Sequence, residues 1–191
     1  MNNLFICRYF EPNTERDKEL QRCLNINLQL KDTHVHILND EPNRHTYNDI
    51  FEYINTKSGP DDINIIANSD IYFLDADIAL MQNIKPDECY ALTRYDVQAD
   101  GSAIFLNRVD SQDCWVFKGP IKAIKADWFL GRPGCDNRLA FELQQAGYQV
   151  LNPSLTIKSY HIHLSQVKSY NKTPMHVVPP PYVRLTPHEL C

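Results

Sequence analysis

The feature that most constrains this chain is a regular alternation of short apolar runs and amphipathic stretches between Leu4 and Asp70. Leu4 to Phe10 is short and mostly apolar, which reads as a strand. Thr14 to Leu30 sets Leu20, Cys23, Leu24 and Leu28 among charges, with Ile26 off phase. Thr14, followed by Glu15 and Asp17, reads as the N-cap of an amphipathic helix. His34 to Leu38 alternates and runs into Asn39-Asp40-Glu41-Pro42, a strand ending in a turn. Thr46 to Lys57 places Ile50, Phe51 and Ile54 on one side of a second helix, which Ser58-Gly59-Pro60 stops. Ile63 to Ala67 is a buried-strand type of run. Strands separated by helices in this order form a parallel sheet with helices on its faces. Such sheets bind ligands beyond the carboxyl ends of their strands, and the third strand ends at Asn68-Ser69-Asp70.

After Asp70 the pattern changes. Cys89 to Thr93 and Cys114 to Phe117 read as strands without long helices between them. Asp136 to Ala146 reads as a helix, with Leu139, Ala140, Leu143 and Ala146 at helical spacing and Gly147 as its C-cap. Tyr148 to Leu151 is a further strand, and the tail from Pro174, with Pro179-Pro180-Pro181, reads as extended. At 191 residues the expectation is one domain, and the end just beyond that tail reads as a domain cut from a longer protein.

Composition excludes several classes. The 19 basic residues against 24 acidic ones give a formal charge of -5, which argues against wholesale nucleic-acid binding and leaves room only for a local basic pocket. No stretch approaches the ~18 apolar residues of a membrane helix. The start, Met1-Asn2-Asn3-Leu4, lacks a basic lead and reads as a strand, not a secretion signal. The six cysteines are scattered with no C-x-x-C pair, so reduced thiols and a cytoplasmic setting are expected.

Several residues have the chemistry of a site. Asp70, on the loop after a central strand, is placed to hold Mg2+ or Mn2+, with Asn68 two residues earlier; the alternative is an ordinary turn. A literal D-x-D at Asp75-Ala76-Asp77 competes for the same role, but reads better as a helix start or surface pair. Arg94, two residues before Asp96, can contact a phosphate or simply pair with that carboxylate. Arg8 lies inside an apolar run, an unusual place for a guanidinium without a partner. Asp136 follows the Gly131-Arg132-Pro133-Gly134 turn and opens a helix, where the helix dipole favours an ionised carboxylate able to act as a general base. An N-cap is its plainer role. His161-Ile162-His163 can add an imidazole to a metal shell, although His34-Val35-His36 has the same spacing with no other metal signal.

Together these residues resemble a family of small GT-A-type nucleotide-sugar glycosyltransferases, with the capsid-glycan enzymes of chlorella viruses as the narrower likeness. The resemblance rests on Ile65-Ile66-Ala67-Asn68-Ser69-Asp70-Ile71-Tyr72-Phe73, Ala91-Leu92-Thr93-Arg94-Tyr95-Asp96 and Ser111-Gln112-Asp113-Cys114-Trp115-Val116-Phe117. It continues through Leu130-Gly131-Arg132-Pro133-Gly134-Cys135-Asp136-Asn137-Arg138, Gly147-Tyr148, Asn152-Pro153-Ser154 and His161-Ile162-His163.

The resemblance implies a single GT-A-like, Rossmann-like α/β domain with a mixed central sheet and helices on both faces. Residues 1–100 would be its donor half and 101–191 its acceptor and catalytic half. It implies a nucleotide-diphosphate sugar as donor, a UDP-sugar first, a glycan or other hydroxyl as acceptor, and Mn2+ or Mg2+ as cofactor. Asp70 would hold the metal, with His163 a further candidate ligand. Asn68 and Ser69 would lie near the ribose or phosphate, and Arg8, Asn39, Asp40 and Arg94 would bind the donor. Asp113 and Trp115 would line the sugar or acceptor site, and Asp136 would be the base of an inverting transfer. The family's acidic motif has Asp at both ends, and Asn68 departs from it. Two alternatives stay open: a metal-dependent nucleotide-sugar hydrolase, and a glycan- or nucleotide-binding module without catalysis.

Overall fold

The structure, a computed structural model, describes residues 1–40, 44–167 and 177–190. The predicted turn at Glu41-Pro42 and the tail's start at Pro174 lie outside the described residues. The first half follows the expected alternation: β1 (Asn2–Arg8), α1 (Thr14–Asn27), β2 (Thr33–Asn39), α2 (Tyr47–Lys57) and β3 (Ile63–Asn68). Then come β4 (Ile71–Tyr72), α3 (Asp75–Met81), β5 (Glu88–Leu92), β6 (Tyr95–Val97), β7 (Ala103–Phe105), β8 (Cys114–Lys118), α4 (Cys135–Gln145), β9 (Gln149–Leu151) and β10 (Tyr160–His161).

The strands form two sheets. The six-stranded sheet has the order β2-β1-β3-β8-β5-β9. β1 runs parallel to β2 and β3, β9 runs parallel to β5, and β8 is antiparallel to both its neighbours. A strand from beyond residue 100 therefore lies between two from before it, so the predicted halves share one sheet. The smaller sheet, β4-β10-β6-β7, is built from two- and three-residue strands too short to show as apolar runs.

Pleating divides the large sheet's side chains between two cores. Phe5, Ile66, Ala91, Trp115 and Phe117 meet Ile50, Phe51 and Ile54 of α2 and Leu139 and Leu143 of α4. On the other face Leu4, Ile6, Ile65, Tyr90 and Val116 meet Ile78 and Met81 of α3. Helices thus cover both faces. Trp115, expected to present a ring to a sugar, is only 2% exposed and belongs to the first core. Strand alternation buries it: its partners Ile66 and Ala91 are core residues too. The five described cysteines are free and buried.

Helix ends show local chemistry at work. Asn13, not Thr14, caps α1 by accepting from the Arg16 N–H, and the helix ends at Asn27 rather than Leu30. Thr46 and Asp49 form a reciprocal capping box on α2. The D-x-D aspartates open α3, where Asp75 accepts from the Lys31 N–H and Asp77 from the Lys158 N–H. Gly134 precedes α4 in the left-handed region at φ +81. A Cβ there would meet the Val178 carbonyl at 2.8 Å and the Tyr182 hydroxyl at 2.7 Å. We expect Gly134→Ala to destabilise by about 1–3 kcal/mol in denaturant titration, from backbone strain plus that clash.

Candidate functional site

The large sheet's topology brings the sequence-predicted residues to one rim. Arg8 ends β1, Asn39 ends β2 and Asn68 ends β3, followed by Ser69 and Asp70. Because β8 is antiparallel, its start faces the ends of β3 and β5, so Asp113 joins the same rim and Arg94 lies just past β5. Asp136, in the first turn of α4, reaches the rim where its Oδ2 accepts the Gln112 N–H at 3.3 Å.

The charged side chains form a continuous array. Asn68 Nδ2 donates to Asp113 Oδ1 at 2.9 Å, and Arg94 donates to both Asp113 oxygens at 3.2 and 3.3 Å. Arg94 Nε also donates to Asp96 Oδ1 at 2.9 Å. The same Asp96 oxygen lies 2.7 Å from His161 Nδ1, while His161 Nε2 lies 3.2 Å from Asp70 Oδ2. Arg16 donates to Asp70 Oδ2 at 2.5 Å, to Glu19 at 2.9 Å and to the Ile162 carbonyl at 2.7 Å. Glu19 in turn accepts from Ser165.

Environment sets the protonation of three groups. Burial disfavours the Asp70 carboxylate, but hydrogen bonding and charge from His161, then Arg16, outweigh it and hold its pKa well below the usual range. Burial likewise opposes the charge on His161, yet its two carboxylate partners raise it from 6.5 to about 9. Both partners are acceptors, so both ring nitrogens donate and the imidazolium is the form that fits. Asp136 departs from the expectation of an easily ionised carboxylate. Burial, then the charge of Asp113, pushes it up to about 7, more than the bonds from the Cys135 thiol and the Gln112 N–H and the charge of Arg94 recover.

The His161 contacts predict a pH dependence. Its proton is held more tightly in the native state, so the stabilisation is complete below about pH 6.5 and lost as pH rises through about 9. His161→Gln should remove about 2 kcal/mol at pH 6 and almost nothing above pH 9, measured by urea unfolding at both pH values.

The other predicted residues are placed as follows. Arg8 pairs with Asp17 through one terminal nitrogen, and its other, Nη1, is buried without a partner among the described residues. Asp40 accepts from the His45 N–H and lies 3.7 Å from Arg44, and the Asn39 carbonyl faces the His45 ring. Ser69 is buried beside Asp70. His163 is not the imidazole beside Asp70: its Nε2 bonds the Val167 carbonyl, and His161 takes that place. Sequence reasoning missed Arg16 and Glu19. A signal for Arg16 existed, since positions 16, 20, 23, 24 and 27 form the buried stripe of α1.

Among the described residues no group of three or more His, Cys, Asp and Glu side chains is placed to hold a metal ion. Asp70 nevertheless keeps its Oδ1 free of hydrogen bonds among the described residues. One carboxylate oxygen suits Mg2+ or Mn2+ where substrate phosphates and waters fill the remaining positions, and does not suit a metal held by protein alone. No family model matches the chain, and no curated protein matches it either. Fold and site define an α/β protein whose described residues form a mixed sheet and four helices, with strand ends that carry an array of alternating carboxylates and cations. No described helix is long and apolar enough to cross a membrane.

Proposed function

We propose that the chain is a GT-A-type glycosyltransferase of the cytoplasm, moving a sugar from a nucleotide-diphosphate donor, a UDP-sugar first, to a glycan or other hydroxyl acceptor with inversion. The observation that supports this reading is the convergence of Arg8, Asp70, Arg94, Asp113 and Asp136 on the rim where open α/β sheets bind nucleotides. The resemblance in sequence, which rests on the segments that carry Asp70, Arg94, Asp113 and Asp136, agrees with it.

The residues divide the work by their charge. Arg8 Nη1, a buried cationic donor without a partner among the described residues, suits a phosphate oxygen of the donor. Asp70 would hold Mn2+ or Mg2+, which when bound supplies Lewis-acid neutralisation of the departing diphosphate. Asp136, with a pKa of about 7, is half ionised near neutral pH and can take the acceptor hydroxyl's proton as that oxygen attacks the anomeric carbon. The Gln112 N–H fixes one of its oxygens. Holding donor and acceptor together supplies the rest of the acceleration. Asp113, fixed by Asn68 and Arg94, borders the sugar site; Trp115 has no part in it.

The test is nucleotide release from UDP- and GDP-sugars with Mn2+, followed with and without mono- and oligosaccharide acceptors. The reading expects release that depends on acceptor, with a glycoside as product. Release indifferent to acceptor would make the protein a nucleotide-sugar hydrolase. Saturable binding without turnover would make it a binding module.

A further inference from the structure

β3 and β8 pair antiparallel through Ala67 and Cys114, so the next residues outward, Asn68 and Asp113, face each other at the site rim. Two bonds join them: the Asn68 N–H donates to the Asp113 carbonyl at 3.2 Å, and Asn68 Nδ2 donates to Asp113 Oδ1 at 2.9 Å. Arg94 binds the same carboxylate from the end of β5. Only one residue along from Asp113, the Gln112 N–H holds Asp136. We propose that Asn68 is a positioning residue, whose amide, with the Arg94 guanidinium, fixes the Asp113 carboxylate beside Asp136 so that the two carboxylates work as one base unit.

This deepens the reading of Asp136 as base and rests on it. It also accounts for an amide at position 68. Directly opposed like charges destabilise an antiparallel pair, and an aspartate here would set a carboxylate against Asp113. An amide offers the N–H that Asp113 accepts. Among the described residues, Asp136 accepts from the Cys135 thiol of α4 at 3.2 Å and from the Gln112 N–H, the charges of Asp113, before β8, and Arg94, past β5, act on it, and its own charge acts on Tyr47 of α2. Of these Asp113 is the carboxylate that the Asn68 amide and the Arg94 guanidinium both bond; burial keeps the Cys135 thiol and the Tyr47 hydroxyl protonated. A fixed anion raises the proton affinity of its neighbour and makes it a stronger base.

The experiment is a carbon-13 NMR titration of the aspartate carboxyls in the intact chain, with Asp136 assigned by its loss in Asp136→Asn. It needs no substrate. Asp113→Asn should lower the Asp136 midpoint by about one pH unit or more. Asn68→Asp should lower the melting temperature. The exchange Asn68→Asp with Asp113→Asn restores an amide–carboxylate pair, so it should recover the melting temperature while the midpoint stays low. A purely structural role predicts that the exchange restores both. An unmoved midpoint in Asp113→Asn, or full recovery of it in the exchange, would overturn the proposal. If the midpoints move as expected and no nucleotide sugar is turned over by the wild type, the base unit stands and glycosyl transfer falls. With transfer established, the acid limb of kcat/KM should follow the NMR midpoint in each variant.

Discussion

Asp136→Asn should lose glycosyl transfer by about 10²- to 10⁴-fold in kcat, the range a positioned general base contributes, while nucleotide-sugar binding is kept. The substitution keeps the shape of the side chain and removes its ability to take a proton. The groups proposed to bind the donor lie elsewhere on the rim, so a binding isotherm for the donor should overlay that of the wild type. The same variant should be the more stable protein at high pH. Burial and Asp113 raise the native pKa of Asp136 to about 7, so the folded state holds its proton more tightly than the unfolded chain. Ionising it therefore costs stability progressively between about pH 4 and pH 7, and the whole cost is present above that. Asparagine never ionises. Guanidinium unfolding at pH 8 should show the variant more stable than wild type, with the difference closing near pH 4. A variant that transfers at full rate would remove Asp136 from the chemistry.

Arg16→Met should destabilise the chain by about 3–5 kcal/mol, the usual result of breaking a buried ion pair from one side. The Arg16 side chain is 4% exposed, and its guanidinium joins Asp70, Glu19 and the Ile162 carbonyl. Methionine fills the volume but leaves two largely buried carboxylates without this cation. Glu19 keeps Ser165 and Asp70 keeps His161, so the fold should persist with a lower denaturation midpoint and an unchanged m-value. Arg16→Lys should lose less, because an ammonium keeps the charge but not the fork that reaches Asp70 and Glu19 together. An Arg16→Met protein as stable as wild type would show that this network adds nothing net.

The alternation from Leu4 to Asp70 was legible because β1 and β3 are buried on both faces, the edge strand β2 alternates in sequence, and each helix has an apolar stripe. The smaller sheet was not, since a pair such as Tyr160-His161 is too short to leave a periodic trace. Asp70 and Asp136 could be singled out because a strand end and a helix start are visible in the chain, whereas Asp113 rested on the resemblance alone. Trp115 was misplaced because the resemblance set it beside Asp113 as a sugar platform, whereas strand pairing turns it inward. The choice of His163 over His161 failed for a similar reason: two imidazoles in H-x-H are equivalent until the pairing of β10 with β4 and β6 sets one beside Asp70 and Asp96. Arg16 went unnoticed because a charge on a helix is taken for its wet side, although its spacing put it on the buried stripe.

The most direct measurement is the melting temperature across UDP- and GDP-sugars, with and without Mn2+, on the wild type and on Asp70→Asn. A ligand that binds the native state raises the melting point. The account predicts a rise for at least one nucleotide sugar that requires Mn2+ and disappears in Asp70→Asn. No rise with any nucleotide sugar, or a rise of equal size in both proteins without the metal, would contradict it.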